Sequence, residues 1–520
     1  MKGINTYPQQ WLQNRKSSLL LSCCCGLMLW VSSCTESVKN PAQESSLPAI
    51  FPDYVGVTIP SNIAPLNFCM EDEDALLVDA VITDKNGRQL HGQGAETTDF
   101  DITDWQTMLA QNVGDSICVS VSAKLTDGWH TYRSFSIYVS ADKMDYGVAY
   151  RKLEPGYEVY SKMGIYERNL STFEETTLIE NTLFQGCVNC HSFNRGNPED
   201  MSLHIRGEHG ATLLRYHGQM EAYNTATSQT LGSCVYPYWH PGGRYIAYST
   251  NTTRQVFHAS DANRIEVFDS ASDLLVYDCE TNELITTPIL EGDSVMETFP
   301  AFSADGRTLY FCQATSLPEN SLALDSIHYN ICSITFNPED GTFGNEIDTI
   351  VDAVSMNRTA TMPRPSYDGR YLLFTMADYG QFPIWHHEAD LYMIPIEELN
   401  LAKETHQNIK DIEAYRMSII NSEETESFHN WSSNSRWIVF SSRRIDGLFT
   451  RLFFTHIDED GKESKPFLMP QQNPRRYYDN LFMSYNVPDF ITSPVKFDNL
   501  HAEEIINAPE RKQMKVRQVQ

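Results

Sequence analysis

YPYWHPGGRYIAY at 236–248 recurs as FPAFSADGRTLYF at 299–311, MPRPSYDGRYLLF at 362–374 and FHNWSSNSRWIVF at 428–440. Each copy reads as a strand, a tight turn on Asp-Gly or its equivalent, and a second strand with an apolar stripe. The arginine after the turn stands at 244, 307, 370 and 436, a period of 63, 63 and 66 residues. Another apolar run follows in each copy, at 274–277, 331–334, 391–394 and 452–454. Units of several antiparallel strands at a fixed period predict an all-β chain closed into a β-propeller, because a ring leaves few exposed sheet edges.

A propeller blade usually takes about 40 to 45 residues, so the excess belongs in loops. It falls mainly between the second and third strands of each unit, at 250–273, 313–328, 376–389 and 442–450. Neighbouring strands run in opposite directions, which places these insertions on the face opposite the Asp-Gly turns. That elaborated face is the candidate surface for an envelope protein, peptide, glycan or other ligand. A degenerate unit near 187–232 and a closing one using 478–497 bring the four clear blades to six, with five as the alternative.

The P-x-W/F-S-x-D-G-R turn is similar to the repeat of TolB-like propellers. The strings YGQFPIWHHEADLYMI (379–394) and ESFHNWSSNSRWIVFSSRRIDGLFTRLFF (426–454) resemble envelope lipoproteins of Bacteroidetes type that carry this propeller. The likeness spans roughly residues 180–500 and implies six blades and a place in the cell envelope. It implies no single activity, since propellers serve as scaffolds, binders and enzymes.

The N-terminal residues agree with that place. Lys2, Arg15 and Lys16 precede a short apolar run at 17–31, which reads as a secretory signal rather than a spanning helix. Val31-Ser32-Ser33-Cys34 resembles the bacterial lipobox, implying that Cys34 is lipidated and that the membrane is met through this anchor alone. Thr35, not Asp, follows it, so the outer membrane is the expected address. The remaining expectations are a polar tether at 34–48, a small β-sandwich at 49–140, a connector at 141–185, the propeller at 186–500 and a tail at 501–520. The sandwich rests on alternating runs at 76–82, 116–121 and 134–139.

One motif carries chemistry. Cys187-Val188-Asn189-Cys190-His191 is the attachment sequence of c-type haem, with thioethers at Cys187 and Cys190 and His191 on the iron. Candidates for the sixth ligand are Met201, His204, His209, His217 and Met220. Residues 201–205 read as a strand with Met201, Leu203 and Ile205 on one face and His204 on the other. The competing reading is a Cys187–Cys190 disulfide with an incidental histidine. Residues 170–230 lack the helical periodicity that surrounds the motif in cytochrome c domains. The six other cysteines of the mature chain, at 69, 118, 234, 279, 312 and 332, are expected as buried thiols or one disulfide per domain.

Charge and missing motifs narrow the function. The chain carries −29, and loss of the basic signal takes the mature protein to −32, against nucleic-acid binding. No Gly-x-Ser-x-Gly elbow or Gly-rich phosphate loop is present, and fewer than 80 residues follow the last repeat, so hydrolytic turnover is not expected. His386-His387-Glu388-Ala389-Asp390 is expected as a solvated loop. Two readings follow: a haem-bearing interaction platform that carries electrons, or a redox-silent propeller that binds a partner.

Overall fold

The Asp-Gly turns fold because their side chains satisfy the backbone they interrupt. Asp305 accepts from the Ser303 hydroxyl at 2.6 Å and from the Arg307 N–H at 3.0 Å, while Ser303 Oγ accepts from the Thr308 N–H. Ser366 and Asp368 repeat the arrangement, and Asn434 replaces the aspartate beside Ser432. Gly306 takes a φ of 72°, a left-handed conformation natural to glycine. Its carbonyl meets His240 Nε2 of the preceding repeat at 3.2 Å, and a Cβ there would run into that imidazole.

The computed structural model describes residues 36–519 apart from 72–73, 155–161, 184–185, 259–262, 264, 319–320, 322, 406, 408, 410–411 and 509. The signal and Cys34 lie outside the described residues. Six sheets form the blades of a β-propeller. Blades 2 to 6 each begin with their inner strand: Cys187–Asn194, Cys234–Trp239, Val295–Phe302, Thr359–Pro365 and Glu426–Trp431. Blade 1 is assembled from both ends of the chain. Its inner strand Ser484–Ile491 pairs antiparallel with Gly147–Leu153, which pairs outward with Met163–Asn169, itself paired with Glu175–Glu180. That pairing closes the ring.

Residues 141–185 are therefore not a connector but most of a blade, which lacks the Asp-Gly turn because its inner strand arrives separately. The expected degenerate blade is blade 2, built from 187–224. The expected tail adds strands Lys512–Gln513 and Lys515–Gln518 in parallel to the outer edges of blades 2 and 3. Within the tether, Ala42–Gln43 pairs with Gly128–Thr131. Covering edges in this way limits unwanted strand pairing.

The N-terminal region is one seven-stranded sheet with a helix, Ile102–Gln111, and a two-stranded ribbon, rather than two facing sheets. Asp101 caps the helix by accepting from the N–H groups of Thr103 and Asp104. Trp105, Met108 and Leu109 then bury one helical face. They join Val78, Ile117 and Val119 in a core that continues into Trp437, Phe454 and Tyr485 of the propeller. Among the described residues no helix is long and apolar enough to cross a membrane.

Substituting Gly306 by Ala forces a left-handed Cβ against His240. The expected cost is about 1–2 kcal/mol for the backbone alone, read as a lowered apparent Tm. Gly242→Ala, at a position without positive φ, is the control expected to cost less.

Candidate functional site

Every inner strand breaks its register at the same level. The shifts fall between Ala149/Arg151 opposite blade 1's inner strand, and at Asn189/Ser192, Val235/Tyr238, Thr298/Ala301, Thr361/Arg364 and Ser427/Asn430. At each break one non-glycine residue is left-handed: Val487, Cys190, Tyr236, Phe299, Met362 and Phe428, with φ between 46° and 57°. A proline follows four of them, and His191 and His429 follow the other two. A β-bulge re-aims a side chain, and all six residues line one axial cavity of about 250 Å³. The rings of Tyr236, Phe299 and Phe382 close part of its wall, with centroids 4.7–5.7 Å apart. Beyond this ring lies a space of only about 30 Å³ beside Tyr238, Asn430 and Asp489, room for a water or two.

The long loops converge over the mouth. Gln381 donates to Asp269 of the blade 3 hairpin, and the Gly380 N–H donates to the Ile327 carbonyl at 2.8 Å. His386, expected in a solvated loop, is fully buried, with Nε2 2.8 Å from Glu266 and Nδ1 3.2 Å from Glu388. Burial opposes its charge, but the two carboxylates outweigh that and raise its pKa to about 9. This clasp fixes the segment that carries Phe382, Ile384 and Trp385 against the cavity.

The cavity is basic in an acidic chain. Arg151, Arg206, Arg364 and Arg443 line it, from blades 1, 2, 5 and 6, against one carboxylate, Glu154. Among the described residues none of the four arginines forms an ion pair. Arg151 donates to Asn189, and Arg364 donates to the Pro363 carbonyl while lying 5.4 Å from the Tyr238 ring centroid. Arg443 is 4% exposed, stands 3.3 Å from the Trp385 ring centroid, and has no hydrogen-bond partner at Nε.

The haem residues are brought together only in part. Cys187 is half-buried opposite Arg206 and does not line the cavity, whereas Cys190 does. Burial pushes the Cys190 thiol pKa up, against the pull of Arg206. His191 is 3% exposed with neither ring nitrogen well hydrogen-bonded, the Ala149 carbonyl being nearby; burial lowers its pKa to about 4 and keeps it neutral. Met201 packs in the blade 2 core with Leu203 and Ile205, and His204 lies on the other face, 3.3 Å from Thr212 Oγ1. His209 sits in a turn, His217 is exposed at another turn, and Met220 is half-buried.

These residues do not fit a c-type haem as arranged. The two thiols must reach one macrocycle and the imidazole its iron, but here they are strung along a bulged strand and only Cys190 and His191 border the cavity. At about 250 Å³ that cavity is below the ~300–1,000 Å³ of pockets for drug-sized ligands, and a porphyrin is a large ligand. Cys190-His191 is instead blade 2's counterpart of Tyr236-Pro237. The alternative disulfide is not formed either: Cys187 and Cys190, like the other six described cysteines, are not joined in a disulfide. Among the described residues no group of three or more His, Cys, Asp or Glu side chains is placed to hold a metal ion.

The first residues of the four quoted repeats, Tyr236, Phe299, Met362 and Phe428, are ring residues, so part of the site was visible in sequence. The arginines were not, because they come from four blades with no common spacing.

Two outcomes test this geometry. Mature protein made in a host with c-haem maturation should give no pyridine haemochrome; a covalent haem signal would contradict the arrangement. The raised His386 pKa means its stabilisation is complete below about pH 6.5 and is lost as pH rises through about 9. Apparent Tm should fall over that window. His386→Ala should cost about 3–5 kcal/mol at pH 7 and flatten the fall.

No family model matches the chain, and no curated protein matches it. Among solved structures it is similar to the periplasmic gluconolactonase PpgL of Pseudomonas aeruginosa, at 12% identity and a TM-score of 0.35 over 66% of this chain and 100% of that one. It is also similar to a DUF4784 family protein from Bacteroides caccae, at 7% identity and a TM-score of 0.26 over 72% and 95% of the two chains. Porphyromonas gingivalis dipeptidyl peptidase 4 matches at 8% identity and a TM-score of 0.29, over 83% of this chain and 62% of that one. Likenesses this distant carry no argument about activity.

Proposed function

We propose that this chain is a cell-envelope binding protein, tethered by lipid at Cys34, whose propeller receives a compact ligand in its axial cavity from the long-loop face. The observation that supports it most is the cavity's construction. All six blades contribute a left-handed residue to its wall. Each such residue costs about 1–2 kcal/mol relative to ordinary backbone. Strain repeated at one level around a pocket is a pointer to function. The pocket is concave and combines an aromatic and aliphatic surface with convergent polar groups, four arginines among them, a make-up suited to a small polar ligand.

The likeness to TolB-like envelope lipoproteins agrees with this reading, which is one of binding rather than turnover. Electron transfer through a haem is not carried forward, because the motif residues do not fit the group.

Ligand-observed NMR with a library of small fragments tests the site. Hits should compete with one another and vanish in Met362→Trp, which fills the cavity. Hits that bind this variant as well as the parent would contradict the proposal. For the anchor, Cys34→Ala should abolish incorporation of radiolabelled palmitate and release the protein from the membrane fraction; unchanged labelling would count against it.

A further inference from the structure

We infer that the axial cavity recognises an oxyanion, carboxylate or phosphate, carried on a compact apolar body, with Arg443 as its principal anion-binding side chain. This rests on the cavity being the ligand site. The evidence for the anion is separate from the evidence for the cavity.

The first observation is a charge inversion. The chain carries −29, yet the cavity wall holds four arginines and one carboxylate. Arginines in an acidic protein ordinarily find carboxylates, as Arg244 does with Asp278 at 2.6 Å and Arg416 with Asp390 at 2.6 Å. The four cavity arginines form no such pair among the described residues. The second observation is Arg443 itself. It is 4% exposed, and burial weighs against its charge while Glu424 and Asp446 favour it from beyond ion-pair distance. Its Nε is buried without an acceptor. A buried guanidinium with an unused donor is costly, and an oxyanion in the cavity would use it.

The Arg443 guanidinium carbon stands 3.3 Å from the Trp385 ring centroid, a cation–π contact that places the charge before any ligand arrives. Tyr236, Phe299, Met362, Phe382 and Phe428 line the same cavity and provide its apolar surface. Volume limits the body: about 250 Å³ suits a single ring or a single apolar side chain, not an extended chain. Such a ligand could be a free small acid or the last residue of a peptide, since both present a carboxylate beside an apolar group.

Isothermal titration of the mature protein with phenylacetate, phenyl phosphate and neutral phenylacetamide tests the inference. At least one anion should bind about ten- to a hundredfold tighter than the amide, the range of hydrogen bonds to charged groups. Arg443→Gln should weaken the anion about tenfold or more and the amide far less, with apparent Tm confirming folding. Equal affinities for anion and amide, both lost in Met362→Trp, would overturn the anion inference and keep the cavity. Absence of binding by all three, or binding indifferent to Met362→Trp, would overturn both. A short peptide ending in Phe, compared with its C-terminal amide, separates the sources. Binding of the free-acid peptide assigns a chain terminus, and binding of the phenyl acids without it assigns a free small acid.

Discussion

Six left-handed backbone residues around one axis set the terms for the rest of the molecule. Each breaks its inner strand's pairing and turns a side chain toward the centre. Proline after four of them fixes the following φ and removes an N–H that the interrupted ladder could not satisfy. The ring is possible only because the blades are held rigidly from outside. The Asp-Gly turns tie the second strands to the first, and Ser484–Ile491 seals blade 1 with residues more than 300 positions earlier in the chain.

Placing the ring at the axis divides the channel. On one side lies a cavity walled by arginines and aromatic residues; on the other, a space for little more than a water. The loops that gave the repeat its unusual period close over the larger side and are fastened by buried polar contacts, among them His386 with Glu266 and Glu388. The net acidity of the chain and the four arginines of the cavity set a basic interior within an acidic protein, the contrast from which the anion is inferred.

The parts legible in the sequence were those enforced locally. Ser303-Ala304-Asp305-Gly306-Arg307 announces its turn because the hydrogen bonds lie within five residues, and the four copies in phase announce the propeller. Blade 1 was only half legible: the closing unit at 478–497 holds its inner strand, but its partners are joined to it only by the closed ring, so 141–185 looked like a connector. The helix Ile102–Gln111 was overlooked beside strand-like neighbours, although Asp101 and the Trp105, Met108, Leu109 spacing signal it. Cys190-His191 has a second reading that only the fold reveals: the bulge that accepts Tyr-Pro in blade 3 accepts Cys-His in blade 2, and Cys187 lies three residues before Cys190. Arg151, Arg206, Arg364 and Arg443 could not be grouped before the fold placed them.

The account stands on the axial cavity being a site for an apolar anion. Anomalous diffraction from crystals soaked in 4-bromobenzoate tests this most directly, because bromine marks the apolar body and the carboxylate marks its head. The account predicts a bromine peak inside the ring of Tyr236, Phe299, Met362 and Phe428, with the carboxylate against Arg443. Bromine found only on the outer surface of the blades, with that ring vacant, would contradict it.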